Sequence, residues 1–234
     1  LARGSHAITP AFLEAMLDRS LDALGVEAVD CYYVHNPETQ LDARPREDVY
    51  DQLTAAFEQL EREIAAGRIG RYGVASWEAF RVPADHEAHL SLSRVLDCAR
   101  AAAESVGGDA DDHGLAALQL PFNVHMADAF TSAHHEDPED GGAVSALEFA
   151  HREGLSVFAS SALLGGELTE GLPPDIAAEL AGDSPTQRAI NFARSAPAVV
   201  SALVGMGRPT HVREDLAAGT FDPLGASAFD AVFE

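Results

Sequence analysis

The chain has 234 residues, 38 of them acidic against 15 basic, for a formal charge of −23. Such a field repels phosphate backbones and anionic lipid, so nucleic acid and membrane surfaces are excluded as partners. Hydrophobic residues make up 47%, enough for one medium domain with a core, and no apolar run approaches the ~20 residues of a membrane span. Two cysteines, Cys31 and Cys98, are too few for a disulfide framework and read as two buried thiols of a cytoplasmic protein. All 15 basic residues are Arg. An acidic, Lys-free composition looks like the surfaces of proteins from salt-loving microbes, where carboxylates hold water and strong salt screens their repulsion.

Helix and strand alternate at an even pace. Thr9-Pro10 is an N-cap followed by proline at the first helical position. Phe12, Leu13, Met16, Leu17, Leu21 and Leu24 then recur at helical spacing up to Gly25. Val29 to Val34, a run apolar and aromatic but for Asp30, is closed by His35-Asn36-Pro37 and reads as a strand covered on both faces. Val49, Leu53, Phe57, Leu60 and Ile64 mark a second helix ending near Gly67. Further strands are expected at 69–77, 115–121, 155–160 and 199–204, and further helices around 91–106, 142–153, 185–195 and 209–217. Gly107–Gly114 and His134–Gly142 are acidic, turn-rich stretches that read as solvated surface loops.

The strands recur about every 40 to 44 residues, and a repeated strand–helix unit implies parallel strands with right-handed crossovers. An open doubly wound sheet and a closed barrel both satisfy that pattern. No G-x-G-x-x-G follows any strand, which weakens the dinucleotide-fold alternative.

In parallel α/β folds the chemistry sits beyond the carboxyl ends of strands. His35, Ser76, Gln119, Ser160, Ser161 and Gly205 lie there. His86-Glu87-x-His89 is one residue short of the zinc-helix spacing, so no metal is expected from it. Gly165-Gly166 and Gly205-Met206-Gly207 allow a backbone to approach a phosphate.

Five blocks, LDALGVEAVDCYYVHNPE (21–38), AAGRIGRYGVASW (65–77), LQLPFNV (118–124), VFASSALLGGEL (157–168) and SALVGMGRPTHVRED (201–215), together resemble the aldo/keto reductase family. The resemblance implies the TIM (β/α)8 barrel family, here as an incomplete barrel with about five parallel strands and outer helices, an open half-barrel. It implies an NAD(P)H-dependent oxidoreductase that reduces a carbonyl to an alcohol by hydride transfer, with NADP as cofactor (NAD as the alternative), a small carbonyl substrate and no metal. By position, His35 matches the tetrad histidine that orients the carbonyl. Ser76 and Gln119 fall where the family holds the nicotinamide carboxamide, and Ser160 where a tyrosine stacks on the nicotinamide ring. Ser161 and Leu163 correspond to the pyrophosphate contact. Gly205, Arg208, His211 and Asp215 correspond to the segment around the adenosine end. Ala75, Ser160 and Asp215 depart from the family's usual Ser, Tyr and Asn, and an acidic site is a poor host for a 2′-phosphate.

On this alignment Val29–His35 would be the fourth barrel strand, and residues 1–234 a single aldo/keto reductase domain, N-terminally truncated. The tetrad's Asp, Tyr and Lys would then lie outside the sequence, and the chain alone would be impaired as a catalyst. The alternative expectation is a non-catalytic nicotinamide-binding relative.

Overall fold

The computed structural model describes residues 2–137 and 140–233. Leu1, Glu234 and, within the expected acidic loop, Pro138 and Glu139 lie outside the described residues. Seven strands and nine α-helices are described. The strands are β1 (Val29–His35), β2 (Ile69–Ala75), β3 (Leu115–Pro121), β4 (His135–Glu136), β5 (Ala143–Val144), β6 (Ser156–Ser160) and β7 (Val199–Ala202). The helices are α1 (Pro10–Leu24), α2 (Arg46–Ala65), α3 (Leu92–Ser105), α4 (Asp128–Thr131), α5 (Ala146–Arg152), α6 (Pro174–Glu179), α7 (Pro185–Ser195), α8 (Pro209–Ala217) and α9 (Ala226–Asp230).

Five strands form one sheet in the order β1-β2-β3-β6-β7. β1 pairs with β2, and β6 with β7, both in parallel. This is the α/β class with five parallel strands and helices between them, and no closed barrel is present among the described residues. The chain separates into two compact units, residues 1–118 with 134–144, and residues 119–133 with 145–234.

In the first unit, α1 runs to Gly25, whose left-handed φ of 68° lets its N–H reach Leu21 O. A residue with a Cβ is strained there, which is why glycine ends the helix. Thr9 stands at the N-cap, yet its side chain makes no capping bond; Pro10 alone marks the start. Only Leu13 and Leu17 of the periodic set are buried, while Phe12 and Leu24 remain exposed, because a helix covered by neighbours on one side buries one face only. α2 carries Val49, Leu53, Ala56, Phe57 and Leu60 on its buried face, and Phe57 stacks on Tyr72 of β2 at 4.9 Å.

A polar knot is sealed into this core. Glu61 Oε1 accepts from Tyr72 Oη at 2.8 Å and from Gly114 N at 2.7 Å. A Cβ at position 114 would run into Ile64 and Tyr72, so only glycine brings that amide close enough. Burial, with the Glu61 carboxylate beside it, pushes the Tyr72 hydroxyl pKa far up.

The expectation of a solvated acidic loop at 134–142 is corrected here. His135 and Asp137 are buried, and His135–Glu136 pairs antiparallel with Ala143–Val144. His135 Nε2 donates to Phe80 O at 3.0 Å and its Nδ1 accepts from Leu92 N at 3.3 Å. The segment turns inward because its histidine joins two pieces of backbone that would otherwise be buried without partners. The thiol expectation is also revised: Cys98 is buried, but Cys31 is only partly so.

The second unit is organised by aromatic rings. Phe122 stacks on Phe192 at 5.7 Å, and Phe229 packs on Phe192 at 5.3 Å and edge-on against Phe130 at 5.0 Å. α7 presents Ile190, Phe192 and Ala193 to this cluster side of the chain and is capped by Ser184 Oγ, which accepts from Gln187 N.

Candidate functional site

In the first unit the ends of β1 and β2 lie side by side, with His35 opposite Ala75. The chain leaves β1 through Asn36, held at a φ of 47°, whose N–H donates to Ala75 O at 2.6 Å. His35 is exposed. Its carbonyl accepts from His6 Nε2 at 2.7 Å, and its residue lines a recess of about 220 Å³ with Ile8, Phe12, Tyr32 and Tyr33. Burial raises the pKa of both tyrosine hydroxyls and of the Cys31 thiol between them and the strand's start.

Ser76 follows β2 and is buried. Its Oγ donates to Glu38 Oε1 and accepts from Ala79 N, both at 2.9 Å. Glu38 Oε1 also receives the amides of Trp77 at 3.0 Å and Glu78 at 3.2 Å. One buried carboxylate thus gathers the turn after β2. Sequence reasoning passed over Glu38; the only available signal was its place just after the strand-closing His35-Asn36-Pro37.

The second unit holds the largest recess described, about 660 Å³. Its wall includes Ser161, Leu163, Gly205, His211 and Asp215, five of the residues singled out from sequence. The loop after β6 reaches it through left-handed turns at Ser161 (φ 53°), Leu164 (47°), Gly165 (65°) and Gly166 (104°). Ser161 O, accepting from Asn123 Nδ2 at 2.9 Å and Leu164 N at 2.8 Å, holds that bend. A Cβ at Gly205 would meet nothing within 4 Å, so the loop is open there.

Five residues singled out from sequence are not in that wall: His35 and Ser76, which belong to the first unit, and Gln119, Ser160 and Arg208. Gln119 is half-buried on β3. Ser160 ends β6, and its carbonyl accepts from Phe122 N at 3.0 Å. Arg208 lines a neighbouring shallow recess with Met206 and Arg213. Thr186 and Glu214, which sequence reasoning missed, are in the wall.

Asp215 is 7% exposed, and its Oδ2 is buried without a hydrogen-bond partner. Burial raises its pKa, Glu214 adds to that, and His211 opposes it. Glu214 itself accepts from Ser184 Oγ at 2.7 Å. The first helical bond of α8 runs from Val212 N to Arg208 O, which leaves the amides of Thr210 and His211 ahead of it as free donors. The recess therefore offers backbone donors at one helix end and carboxylate acceptors at its inner wall. Its size lies within the ~300–1,000 Å³ usual for small-molecule sites. It fits a ligand with hydrogen-bond donors, such as an exocyclic amine, better than a second phosphate.

Among the described residues no group of three or more His, Cys, Asp or Glu is placed to hold a metal. His86 and His89 are engaged locally, the former accepting from Ala88 N and the latter donating to Val82 O. No helix among the described residues is long and apolar enough to cross a membrane.

Residues 3–88 match the sequence profile of the Aldo/keto reductase family. A search of curated proteins finds no match. Among solved structures, the chain is similar to the thermostable aldo-keto reductase Tm1743 bound to the inhibitor epalrestat, at 18% identity and a TM-score of 0.61, over 96% of this chain and 66% of that one. It is similar too to the holo form of aldo-keto reductase AKR11C1 from Bacillus halodurans, at 15% identity and a TM-score of 0.61, over 97% of this chain and 68% of that one. The chain thus spans about two thirds of the length of these structures. Residues 3–88 thus match the Aldo/keto reductase family, and the fold of the chain is similar to about two thirds of that of these aldo-keto reductase structures.

Proposed function

We propose that the chain is part of an aldo/keto reductase domain that binds a nicotinamide dinucleotide, NADP or NAD, and reduces a carbonyl compound to an alcohol. The observation that supports this reading best is the 660 Å³ recess, around which Ser161, Leu163, Gly205, His211 and Asp215 converge. In this reading the nicotinamide supplies the hydride. The chain's own residues bind and orient. The α8 amides of Thr210 and His211 receive phosphate oxygens through the positive end of the helix. Asp215 accepts from an amino group of the base. Gln119 offers an acceptor and donors to the carboxamide, and His35 donates to the substrate carbonyl, polarising it toward hydride attack. Arg208 remains a candidate phosphate ligand at the start of α8.

A second reading, binding without turnover, is favoured by two observations. The hydroxyls of Tyr32 and Tyr72 donate to Leu13 O and to Glu61 Oε1, so neither proton is offered to a substrate as a general acid. Ser76 Oγ is likewise engaged.

Calorimetric titration of the protein with NADPH and NADH, followed by an assay of nicotinamide oxidation with a panel of aldehydes, tests both. Binding that weakens at least tenfold in Gly205→Trp supports the recess as the dinucleotide site. Binding with no oxidation supports the second reading. No binding of either nucleotide overturns both.

A further inference from the structure

We propose that the recess at the ends of β1 and β2, between Glu38 and Trp77, binds a small organic cation of the guanidinium or primary-amine class. The inference goes beyond the nicotinamide reading and does not depend on it.

The recess measures about 580 Å³. Its wall carries Glu38, Asp42, Glu78 and Glu87 against a single guanidinium, that of Arg3. Four carboxylates around one concavity focus a negative potential into it. Carboxylates alone would describe a solvated surface, but two further features describe a place for a ligand.

The first is Glu38. It is 8% exposed, and while its Oε1 takes three donors, its Oε2 is buried with no hydrogen-bond partner. A buried carboxylate oxygen without a donor is an incomplete arrangement that a donor-bearing ligand completes. The second is Trp77, a large apolar residue 51% exposed in the same wall. Its backbone is pinned by bonds from its N–H to Asn36 Oδ1 and Glu38 Oε1, both at 3.0 Å. An exposed tryptophan on a pinned backbone among carboxylates is the combination that suits an organic cation, since a ring face attracts the charge while the carboxylates take the N–H donors.

The chain itself gives an instance of this chemistry. Arg3 Nε lies 2.5 Å from Asp42 Oδ2, and Asp42 foremost, with Glu78 and Glu38 behind it, holds that guanidinium in its charged form. The partnership takes up one of the four carboxylates. A metal ion is not the better occupant, because no cluster of three metal-ligating side chains is present among the described residues.

Trp77 is the one tryptophan of the sequence, so intrinsic fluorescence reports on this recess. The protein, with no nicotinamide present, is titrated with agmatine, with n-pentanol as an uncharged chain and with pentanoate as an anionic one. A saturable fluorescence change with agmatine is expected, at least tenfold tighter than any with n-pentanol, none with pentanoate, and weakening several-fold as salt is raised. Glu38→Gln is expected to weaken agmatine at least tenfold. Glu78→Gln and Glu87→Gln, at exposed positions, are each expected to weaken it several-fold, and they keep the test decisive if the Glu38 variant fails to fold. No saturable response to agmatine, an equal response to pentanoate, or agmatine binding unchanged in a Glu78→Gln/Glu87→Gln double variant overturns the proposal.

Discussion

The two compact units solve the same problem, filling the interior, in different ways. The first ties buried polar groups together, Tyr72 and Gly114 with Glu61 and His135 with Phe80 and Leu92, and leaves Glu38 Oε2 without a partner at its recess. The second buries phenylalanines, which need no partners, and leaves Asp215 Oδ2 without one in the wall of its recess. The difference is physical. A hydrogen-bonded polar core adds little net stability but specifies one arrangement, whereas an aromatic core is stabilised by the area it buries. If this is right, the units fail differently when cut. Phe192→Ala removes a fully buried ring that touches Phe122, Phe229 and Phe233. The expected loss is the largest of those considered, about 3–5 kcal/mol, read as a shift in urea midpoint.

Glu61→Ala breaks the comparison from the other side. It strands the Tyr72 hydroxyl and the Gly114 amide in the core of the first unit. Each stranded group costs about 1–3 kcal/mol, so a loss of about 3 kcal/mol is expected. Adding Tyr72→Phe should then cost less than it does in the unmodified protein, because its partner is already gone. Strict additivity would show that the knot is not a unit.

His135 makes the polar unit sensitive to acid. Burial, the main cause, lowers its pKa to about 4, and the neighbouring His89, also held low by burial and 5.3 Å away in a stack, works in the same direction. Its two bonds fix the neutral ring, with Nε2–H donating and Nδ1 accepting. The unfolded chain takes up a proton near the ordinary histidine value of 6.5, which the folded chain resists until about 4. The unfolded state therefore binds more protons between those values, and stability is full above pH 6.5 and falls as pH drops toward 4. About 3 kcal/mol is at stake across that window. Urea melts of the native protein and of His135→Gln, taken at steps through that range, should differ in slope, with the variant flatter. Equal slopes would remove His135 from the account.

Much of this fold was legible. The run 29–34 and the period of about 40 residues pointed to the parallel strands, because both depend on local pattern, but β1 is not covered on both faces as expected, since only Val34 of it is buried. Helices α7 and α8 run over the residues expected from sequence, each with proline at its first turn. What escaped notice depends on long-range meetings. The acidic look of His134–Gly142 hid a histidine whose partners, Phe80 and Leu92, lie 55 and 43 residues away. Glu38 and Glu61 drew no notice in the sequence, since nothing local says that Ser76 or Gly114 will arrive beside them. Among the residues singled out for the site, Ser161, Leu163, Gly205, His211 and Asp215 share one recess, while Arg208, only three residues from His211, lines another. A helix start can face two ways, and a linear motif does not say which.

Asp215 sharpens the contrast at the smallest scale. A buried carboxylate whose pKa is raised works against the fold at neutral pH, because ionisation is easier in the unfolded chain. Asp215→Asn removes that charge and keeps the shape. Stability at neutral pH is therefore expected to rise, and the gain should shrink as the pH is lowered and the native carboxyl takes up its proton. If the carboxylate is retained for a ligand's amino group, the same variant should bind dinucleotide several-fold more weakly while being the more stable protein. A gain in stability without a loss of binding would mark Asp215 as a defect of packing, and a loss of both would mean that its Oδ2 has a structural duty after all. Opposite movements of the two quantities are what a binding residue should show, since a group that recognises the ligand is one that the core alone has no use for.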